Sequence, residues 1–252
     1  MHLRLLLLAF FLHPKAQAGK IIGGHESKPH SRPYMAYLQY VAQGEWKMCG
    51  GFLIREDFVL TAAHCLGRPM NVTLGAHNIE KQEKTQQVIP VKRTIPHPDY
   101  DDQYYYNDIM LLQLEKKAKL NAAVQPIKLP RGKDKVKPGK VCHVAGWGRV
   151  AKSGKPSNTL QEVELTLQED QVCKNHFRNY NSNIEICVGD PKKKNASFRG
   201  DSGGPLVCNH VAQGIVSSGN NNGTPPGVYT KVSRFLQWIK ETMKSHQLQE
   251  TD

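Results

Sequence analysis

The chain has 252 residues, enough for one large domain or two small ones. Its 34 lysines and arginines outnumber 22 aspartates and glutamates, giving a formal net charge of +12. After residue 20 no stretch approaches eighteen consecutive apolar residues, so we expect no membrane span in the mature chain. The sequence also has no zinc-ligand spacing, phosphate-binding loop or nucleic-acid motif. We therefore expect no metal, no cofactor and no specific nucleic-acid partner.

Residues 1–18 have the features of a secretory signal peptide. A short basic start precedes an apolar run at residues 5–12, and Ala16-Gln17-Ala18 has the small-residue pattern of a cleavage site. The run is too short to cross a bilayer as a helix, although a membrane anchor is the alternative interpretation. Cleavage after Ala18 predicts a secreted protein.

Cysteine count and charge add two expectations. Six cysteines in a secreted chain predict three disulfides, and their number alone allows 15 pairings. From Ile21 onward the chain has 31 basic and 22 acidic residues, a formal net charge of +9. This excess favours polyanionic partners such as sulfated glycosaminoglycans and proteoglycans. A basic surface without a dedicated partner is the alternative. The lysine clusters lie at residues 116–119, 133–140 and 192–194.

Short β-type runs dominate the chain after residue 20. They lie at 34–41, 51–54, 58–63, 71–76, 86–93, 109–114, 141–147, 160–167, 205–209, 211–218 and 227–232. Turn residues separate many of them at roughly 8–12-residue intervals, as in all-β sandwiches and barrels. A helix is predicted at about 233–244, with Ser233 as its cap.

The two halves of the chain, divided near residues 114–130, each hold about six strand candidates. The predicted fold is therefore all-β, with two packed six-stranded antiparallel β-barrels and a C-terminal α-helix. The first barrel is expected at about 21–120. The second barrel, with the helix, is expected at about 121–252.

Three short motifs carry the chemistry. "LTAAHC" places His64 after an apolar strand, "NDIMLLQL" places Asp108 before another, and "GDSGGPLV" places Ser202 in a glycine-rich turn. A serine hydroxyl needs a neighbouring base, which histidine supplies near neutral pH, while a carboxylate orients the imidazole. The order His, Asp, Ser is one of the known solutions for a catalytic triad. The backbone N–H groups of Gly200 and Ser202 are expected to form the oxyanion hole.

From Ile21 to about Met243 the chain resembles chymotrypsin-fold serine proteases. The segments that carry the resemblance are "IIGGHE", "LTAAHC", "NDIMLL", "VAGWG", "GDSGGPLV" and "GVYTKV". Longer segments, such as "IIGGHESKPHSRPYMAYLQ" and "NDIMLLQLEKKAKL", resemble granzymes, mast-cell chymases, cathepsin G and duodenases. The resemblance implies a granule-stored serine endopeptidase that acts as a monomer on proteins, with serpin-type inhibitors among its partners. It also implies the disulfides Cys49–Cys65, Cys142–Cys208 and Cys173–Cys187.

The same resemblance implies activation by proteolysis. Gly19-Lys20 is the expected activation dipeptide, and its removal frees the amino group of Ile21. In this family that amino group inserts beside the acid that precedes the nucleophile, which here is Asp201. Granzyme propeptides often end in glutamate, so Lys20 departs from the pattern.

The resemblance also bears on which peptide bond is cut. Relatives that cut after lysine or arginine have an aspartate where this chain has Ala196, and Asp-cleaving granzymes have an arginine where it has Gly227. A neutral, open pocket is therefore predicted, favouring cleavage after Phe, Tyr, Leu or Met. The predicted lining is Ala196, Ser197, Ser217, Ser218, Gly219 and Gly227.

Two positions near this pocket leave alternatives open. Ser218 replaces an aromatic residue that usually walls the pocket, which is either a harmless change or one that alters the site. Arg199, at the cleft rim by the same resemblance, is either solvated or favours acidic residues after the cleaved bond.

Glycosylation and a second function complete the expectations. Asn71 is predicted to lie in a strand-edge loop and is the preferred glycosylation site. Asn195 and Asn222 are less favoured. The competing function is a catalytically weak or silent heparin-binding or antimicrobial granule protein, since some relatives have lost the triad. Such proteins lack the catalytic His or Ser, whereas this chain retains His64, Asp108 and Ser202.

Overall fold

The computed structural model describes residues 21–132, 136–149, 155–197 and 199–247. The predicted signal peptide, the activation dipeptide, Lys133 and Lys135 lie outside the described residues. The first half contains strands β1 to β7, which are His25–Glu26, Met35–Ala42, Glu45–Arg55, Phe58–Thr61, Met70–Leu74, Gln87–Pro96 and Met110–Leu114. The second half contains β8 to β13, which are Val141–Gly146, Gln161–Thr166, Glu185–Val188, Pro205–Cys208, Val211–Gly219 and Gly227–Lys231. Helices α1 and α2 are Asp170–His176 and Leu236–Gln247.

Six strands of the first half close into an antiparallel barrel in the order β2-β3-β4-β7-β6-β5. Strands β4 and β7 pair along their length, from Phe58 opposite Gln113 to Thr61 opposite Met110. Every residue of these two strands is buried. Their backbone is consequently held by neighbours on all sides, which makes their ends fixed points from which side chains can be positioned.

The second half forms a sheet in the order β1-β9-β8-β11-β12-β13-β10. An antiparallel bridge between Leu167 and Val188 joins the β9 and β10 sides, so the six strands β8 to β13 curl into a second barrel. The two-residue strand β1 adds a short extra pairing to β9. The prediction of two six-stranded antiparallel barrels is confirmed.

The C-terminal helix ties the two barrels together. Phe235 and Ile239 are buried in the core of the first barrel although they follow the second barrel in the chain. The predicted start at residue 233 was too early, because residues 232–234 form a 3₁₀ turn and α2 begins at Leu236. Ser233 therefore lies inside that turn instead of capping the α-helix.

Three disulfides cross-link the structure: Cys49–Cys65, Cys142–Cys208 and Cys173–Cys187. The first joins β3 to the turn after β4, and the second joins β8 to β11. Among the described residues, no helix combines the length and the apolar character needed to cross a membrane.

Candidate active site

Strand pairing in the first barrel brings His64 and Asp108 together. His64 lies in a 3₁₀ turn that follows β4, and the Cys49–Cys65 disulfide anchors this turn to β3. Asp108 lies two residues before β7. Because β4 runs antiparallel to β7, the end of one strand meets the start of the other. The two side chains are therefore neighbours in space, although they are 44 residues apart in sequence.

The Asp108 carboxylate is fully buried and is held by three donors. Its Oδ2 lies 2.7 Å from Nδ1 of His64 and accepts a hydrogen bond of 2.6 Å from Oγ of Ser217. Its Oδ1 accepts one of 2.9 Å from the backbone N–H of His64. Hydrogen-bond donors on both oxygens satisfy a carboxylate that burial has removed from water. Nδ1 of His64 then carries the proton, and Nε2 keeps a free lone pair that can accept another.

Ser202 lies in the tight turn that leads into β11. Its carbonyl oxygen accepts a hydrogen bond of 2.7 Å from the backbone N–H of Gly50 in the first barrel. The next residue, Gly203, has φ +81, and a Cβ there would lie only 2.1 Å from Oγ1 of Thr61. The turn therefore requires glycine and is pressed against the first barrel. Ser202 and His64 line the same cavity.

Asp201, the residue before Ser202, is also fully buried. Its Oδ1 accepts a hydrogen bond of 3.0 Å from the backbone N–H of Gly148. A Cβ at Gly146 or Gly148 would lie 2.3 or 2.4 Å from that oxygen. The two glycines of "VAGWG" therefore make room for the carboxylate. Gly200, on the other side of Asp201, has φ +100 and packs against Gly148.

The N-terminal segment is buried beside this region. Ile21 has no exposed surface and packs with the core of the second barrel. The carbonyl of Ile22 accepts a hydrogen bond of 3.1 Å from the backbone N–H of Ala196. The start of the described chain is thus connected directly to the segment that forms the cavity wall.

A cavity of about 340 Å³ extends from His64 and Ser202 into the second barrel. All the residues predicted to form the specificity pocket line it, namely Ala196, Ser197, Ser217, Ser218, Gly219 and Gly227. No carboxylate is among the described residues that line it. Ser197 Oγ and the hydroxyl of Tyr229 are 2.5 Å apart inside it. Burial raises the pKa of Tyr229, so this hydroxyl stays neutral.

Glycines keep this cavity open. Gly219 and Gly227 face each other, since a Cβ on Gly219 would lie 3.6 Å from the Cα of Gly227. Arg199 also lines the cavity and is exposed. The interior of the pocket is neutral and suits an uncharged side chain.

Sequence reasoning missed several contacts around the triad. Ser217 was assigned only to the pocket, yet it also donates to Asp108. Thr230 Oγ1 donates a hydrogen bond of 2.7 Å to the main-chain oxygen of Asp108. The ring of Tyr105 meets the His64 ring edge-on, with centroids 5.5 Å apart. No sequence signal identifies the Thr230 contact, because only the fold brings β13 behind Asp108.

One further cluster has the composition of a metal site without its chemistry. The ligand atoms of Cys49, His64 and Cys65 lie within 4.8 Å of one another. The two sulfurs are joined in a disulfide, so neither is the thiolate that a zinc site requires.

The three predicted glycosylation positions differ in their surroundings. Asn71 lies within β5 and is half-buried, so its predicted place in a loop was wrong. Asn195 is half-buried, and its Oδ1 would lie 2.5 Å from a Cβ at Gly23. Asn222 is exposed, and its Oδ1 accepts hydrogen bonds from the Thr224 backbone N–H and hydroxyl.

Comparison with known proteins agrees with this arrangement. The trypsin family matches residues 21–239. Granzyme B of Homo sapiens is 66% identical over 243 residues, covering 96% of this chain and 98% of that protein. Duodenase-1 of Bos taurus is 60% identical over 245 residues, covering 97% and 98%. A solved structure described as "Structure of GrC" has a TM-score of 0.87 at 58% identity and covers 89% of this chain and 100% of its own. The chain therefore belongs to the trypsin family and is a granzyme-like serine endopeptidase.

Proposed function

We propose that His64, Asp108 and Ser202 cleave peptide bonds through an acyl-enzyme intermediate. Nε2 of His64 accepts the proton of the Ser202 hydroxyl while the serine oxygen attacks the substrate carbonyl, and then returns that proton to the leaving amine. Water repeats the attack on the acyl-enzyme, again with His64 as base. Asp108 holds the imidazole tautomer and stabilises the imidazolium. The 2.7 Å contact between His64 Nδ1 and Asp108 Oδ2 is the observation that carries this proposal.

The backbone N–H groups of Gly200 and Ser202 are the proposed oxyanion hole. They stabilise negative charge that develops on the substrate oxygen during attack. One such donor contributes about 2.7–4 kcal/mol in the transition state. The rigid turn around Gly203 supports this role, because preorganised donors need no rearrangement during the reaction.

Activation is proposed to require removal of residues 1–18 as a signal peptide and then of Gly19-Lys20. The new amino group of Ile21 would pair with Asp201. The full burial of both residues supports the pairing, since a buried carboxylate needs a counter-charge or hydrogen-bond donors. The mature protease domain is then residues 21–252.

The proposed substrates are proteins cut after a large apolar residue, namely Phe, Tyr, Leu or Met. Support comes from the absence of carboxylates among the described residues that line the cavity, together with the two facing glycines. A lysine or arginine side chain would enter without a partner, at a cost of several kcal/mol. An acidic side chain would likewise find no lysine or arginine among the described lining residues apart from the exposed Arg199.

The biological setting proposed is secretion after storage in granules, as a monomer. Sulfated glycosaminoglycans are the proposed storage partners, supported by the exposed lysines at 116, 117, 119 and 192–194. Serpin-type inhibitors are proposed regulators, and immune or cytotoxic proteolysis the proposed role. Asn71 is the proposed glycosylation site.

A catalytically weak or silent heparin-binding or antimicrobial protein is the alternative. The observation that favours it is Ser218, which lines the pocket at the position where relatives usually have an aromatic residue. Elution from heparin at the salt concentration of a neutral protein would count against glycosaminoglycan binding in either role.

Peptide-library profiling of protein that begins at Ile21 tests the proposed function, with Ser202→Ala as the control. Hydrolysis after Phe, Tyr, Leu or Met by the wild type alone is expected. Hydrolysis after basic or acidic residues would refute the proposed specificity. Equal hydrolysis by the Ser202→Ala variant would refute the proposed nucleophile.

A further inference from the structure

One carboxylate of the second barrel contacts three residues of the N-terminal segment. Glu162 lies on β9, directly opposite His25 of β1 in an antiparallel pair. Its Oε2 accepts hydrogen bonds of 2.7 Å from the hydroxyl of Ser27 and of 3.1 Å from Nε of Arg32. Its Oε1 lies 3.1 Å from Nε2 of His25. We call these four residues the N-terminal clamp.

Burial determines which contacts of the clamp are strong. The side chains of Glu162 and Arg32 are 15% and 18% exposed, and Ser27 is 1% exposed. The His25 side chain is 62% exposed, so water screens its interaction. Burial acts to raise the pKa of Glu162, but the hydrogen bond from Ser27 and the charge of Arg32 outweigh it and hold this pKa below its ordinary value. Glu162 is therefore ionised at neutral pH, and its contacts with Ser27 and Arg32 are charge-assisted hydrogen bonds.

A short, closely packed stretch of backbone joins the clamp to Ile21. The N–H of Gly24 donates a hydrogen bond of 2.7 Å to the carbonyl of Ile21, which closes a turn. A Cβ at Gly24 would lie 2.3 Å from the carbonyl oxygen of Glu162, so this turn is pressed against β9. Three residues lie between Ile21 and His25. The position of the clamp therefore limits where the amino group of Ile21 can lie.

The first barrel contacts the same segment at Glu26. Its Oε1 lies 2.8 Å from Nε2 of His77. The carbonyl of His77 in turn accepts hydrogen bonds of 3.0 Å from the indole N–H of Trp147 and of 2.9 Å from the backbone N–H of Leu160. The Glu26 side chain is 58% exposed, so its contact with His77 adds less than the contacts at Glu162. The N-terminal segment is thus held mainly by the second barrel.

We propose that Glu162 is a positioning residue for activation. By holding Ser27 and Arg32 against β9, it stabilises the state in which the amino group of Ile21 is inserted beside Asp201. It acts through Ile21 and is not among the residues that line the cavity at Ser202. Without the clamp, insertion still occurs, but a larger fraction of molecules has the amino group free. This inference rests on the proposed activation of the enzyme.

The alkaline limit of activity measures insertion, because only the charged amino group pairs with the Asp201 carboxylate. Protein that begins at Ile21 is assayed on a Phe peptide from pH 7 to 11. Glu162→Gln replaces charge-assisted contacts with neutral ones, so we expect insertion to weaken about tenfold. The midpoint of the alkaline limb should then fall by about one pH unit, while kcat/KM at pH 7 changes little.

Carbamylation of the Ile21 amino group by cyanate provides a second readout that needs no activity. Cyanate reacts with the free amino group, so mass spectrometry should show about tenfold faster modification of Ile21 in Glu162→Gln. Ser27→Ala, which removes one donor to the carboxylate, should change both readouts in the same direction and by less. The control is Glu164→Gln, an exposed carboxylate two residues further along β9, which should match the wild type.

An unchanged alkaline midpoint or an unchanged carbamylation rate in Glu162→Gln would overturn the positioning role. Equal changes in Glu164→Gln would assign the effect to lost surface charge and would also overturn it. If processed wild type cut no peptide, the proposed function would fail. Cleavage by the wild type with no difference between the variants refutes the role of Glu162 alone.

Discussion

The two barrels contribute to the active site by different means. In the first barrel, His64 and Asp108 lie at the ends of paired strands, where the register of β4 and β7 determines their positions. In the second barrel, Ser202 and the pocket lie on connections: residues 189–204 between β10 and β11, and residues 217–227 around the β12–β13 turn. The strand ends thus position the proposed catalytic base, whereas the proposed nucleophile and the predicted specificity pocket depend on loops. Changes at the pocket residues 217–227 should therefore alter substrate choice at smaller cost to the chemistry than changes at the triad.

Asp108→Asn breaks the first barrel's contribution and has the largest expected effect. The amide replaces one accepting oxygen of the carboxylate with an NH2 donor, and this donor facing Nδ1 of His64 forces the imidazole into the wrong tautomer. We expect kcat to fall about 10⁴-fold, a magnitude known from related trypsin-fold enzymes. The measurement is kcat on a Phe peptide, with the exposed Asp99→Asn as control. Activity within tenfold of the wild type would contradict the assignment.

Glu185→Gln compares two buried carboxylates, one from each barrel. The Asp108 carboxylate accepts three hydrogen bonds, whereas the pKa of Glu185 is raised to about 7. Between about pH 4 and 7, the folded protein therefore binds more protons than the unfolded protein. Protonated Glu185 stabilises the fold fully below about pH 4, and this contribution is lost as the pH rises through 7. From pH 5 to 8, the variant should gain up to about 3 kcal/mol in unfolding free energy relative to the wild type.

Urea unfolding at pH 5, 6.5 and 8 measures this difference. Glu164→Gln, with an exposed carboxylate, serves as the matched control and should follow the wild type at every pH. Parallel pH profiles for wild type and Glu185→Gln would show that Glu185 ionises in the folded protein as it does in the unfolded chain.

Gly227→Arg tests whether a change in the pocket of the second barrel alters the specificity without destroying the catalytic activity. A Cβ at this position would lie 3.3 Å from Cε2 of Tyr229 and 3.5 Å from the carbonyl of Ser218, so the new side chain must enter the pocket. We expect kcat/KM for Phe peptides to fall about 100-fold and cleavage after aspartate to appear. Comparing Phe and Asp peptides measures the change. Unchanged preference for Phe would contradict the pocket assignment, and loss of labelling by an active-site reagent would indicate damage beyond specificity.

Much of this site was predictable from local sequence, and the rest depends on the fold. Each of the three residues His64, Asp108 and Ser202 lies in a short sequence motif. Local structure explains some of the residue types in these motifs, such as the glycine required at position 203. The approximate positions of most strands along the chain followed from their alternation with turns. The contacts of Thr230 and Glu185 arise from long-range strand pairing in the second barrel, which no local pattern encodes. The prediction that Ser233 caps the helix was wrong, because residues 232–234 form a 3₁₀ turn and α2 begins only at Leu236.

Ser217→Ala and Thr230→Val have the smallest expected effects and test the contacts between the barrels at Asp108. Ser217→Ala removes one donor from Asp108 Oδ2 and leaves the two from His64. Loss of a hydrogen bond to a charged group costs about 1.5–3 kcal/mol, so we expect kcat to fall at least about tenfold. Thr230→Val removes a donor to the main-chain oxygen instead and should have a weaker effect. A change in KM with unaltered kcat would assign Ser217 to the pocket alone.

Covalent labelling by a fluorophosphonate tests the central claim most directly, that Ser202 is a nucleophile activated by His64 and made accessible by N-terminal processing. Protein that begins at Ile21 should be labelled at Ser202. The Ser202→Ala variant should remain unlabelled, and protein that retains Gly19-Lys20 should react far more slowly. Absence of labelling in correctly processed, folded protein would contradict the proposed mechanism and favour the silent heparin-binding role.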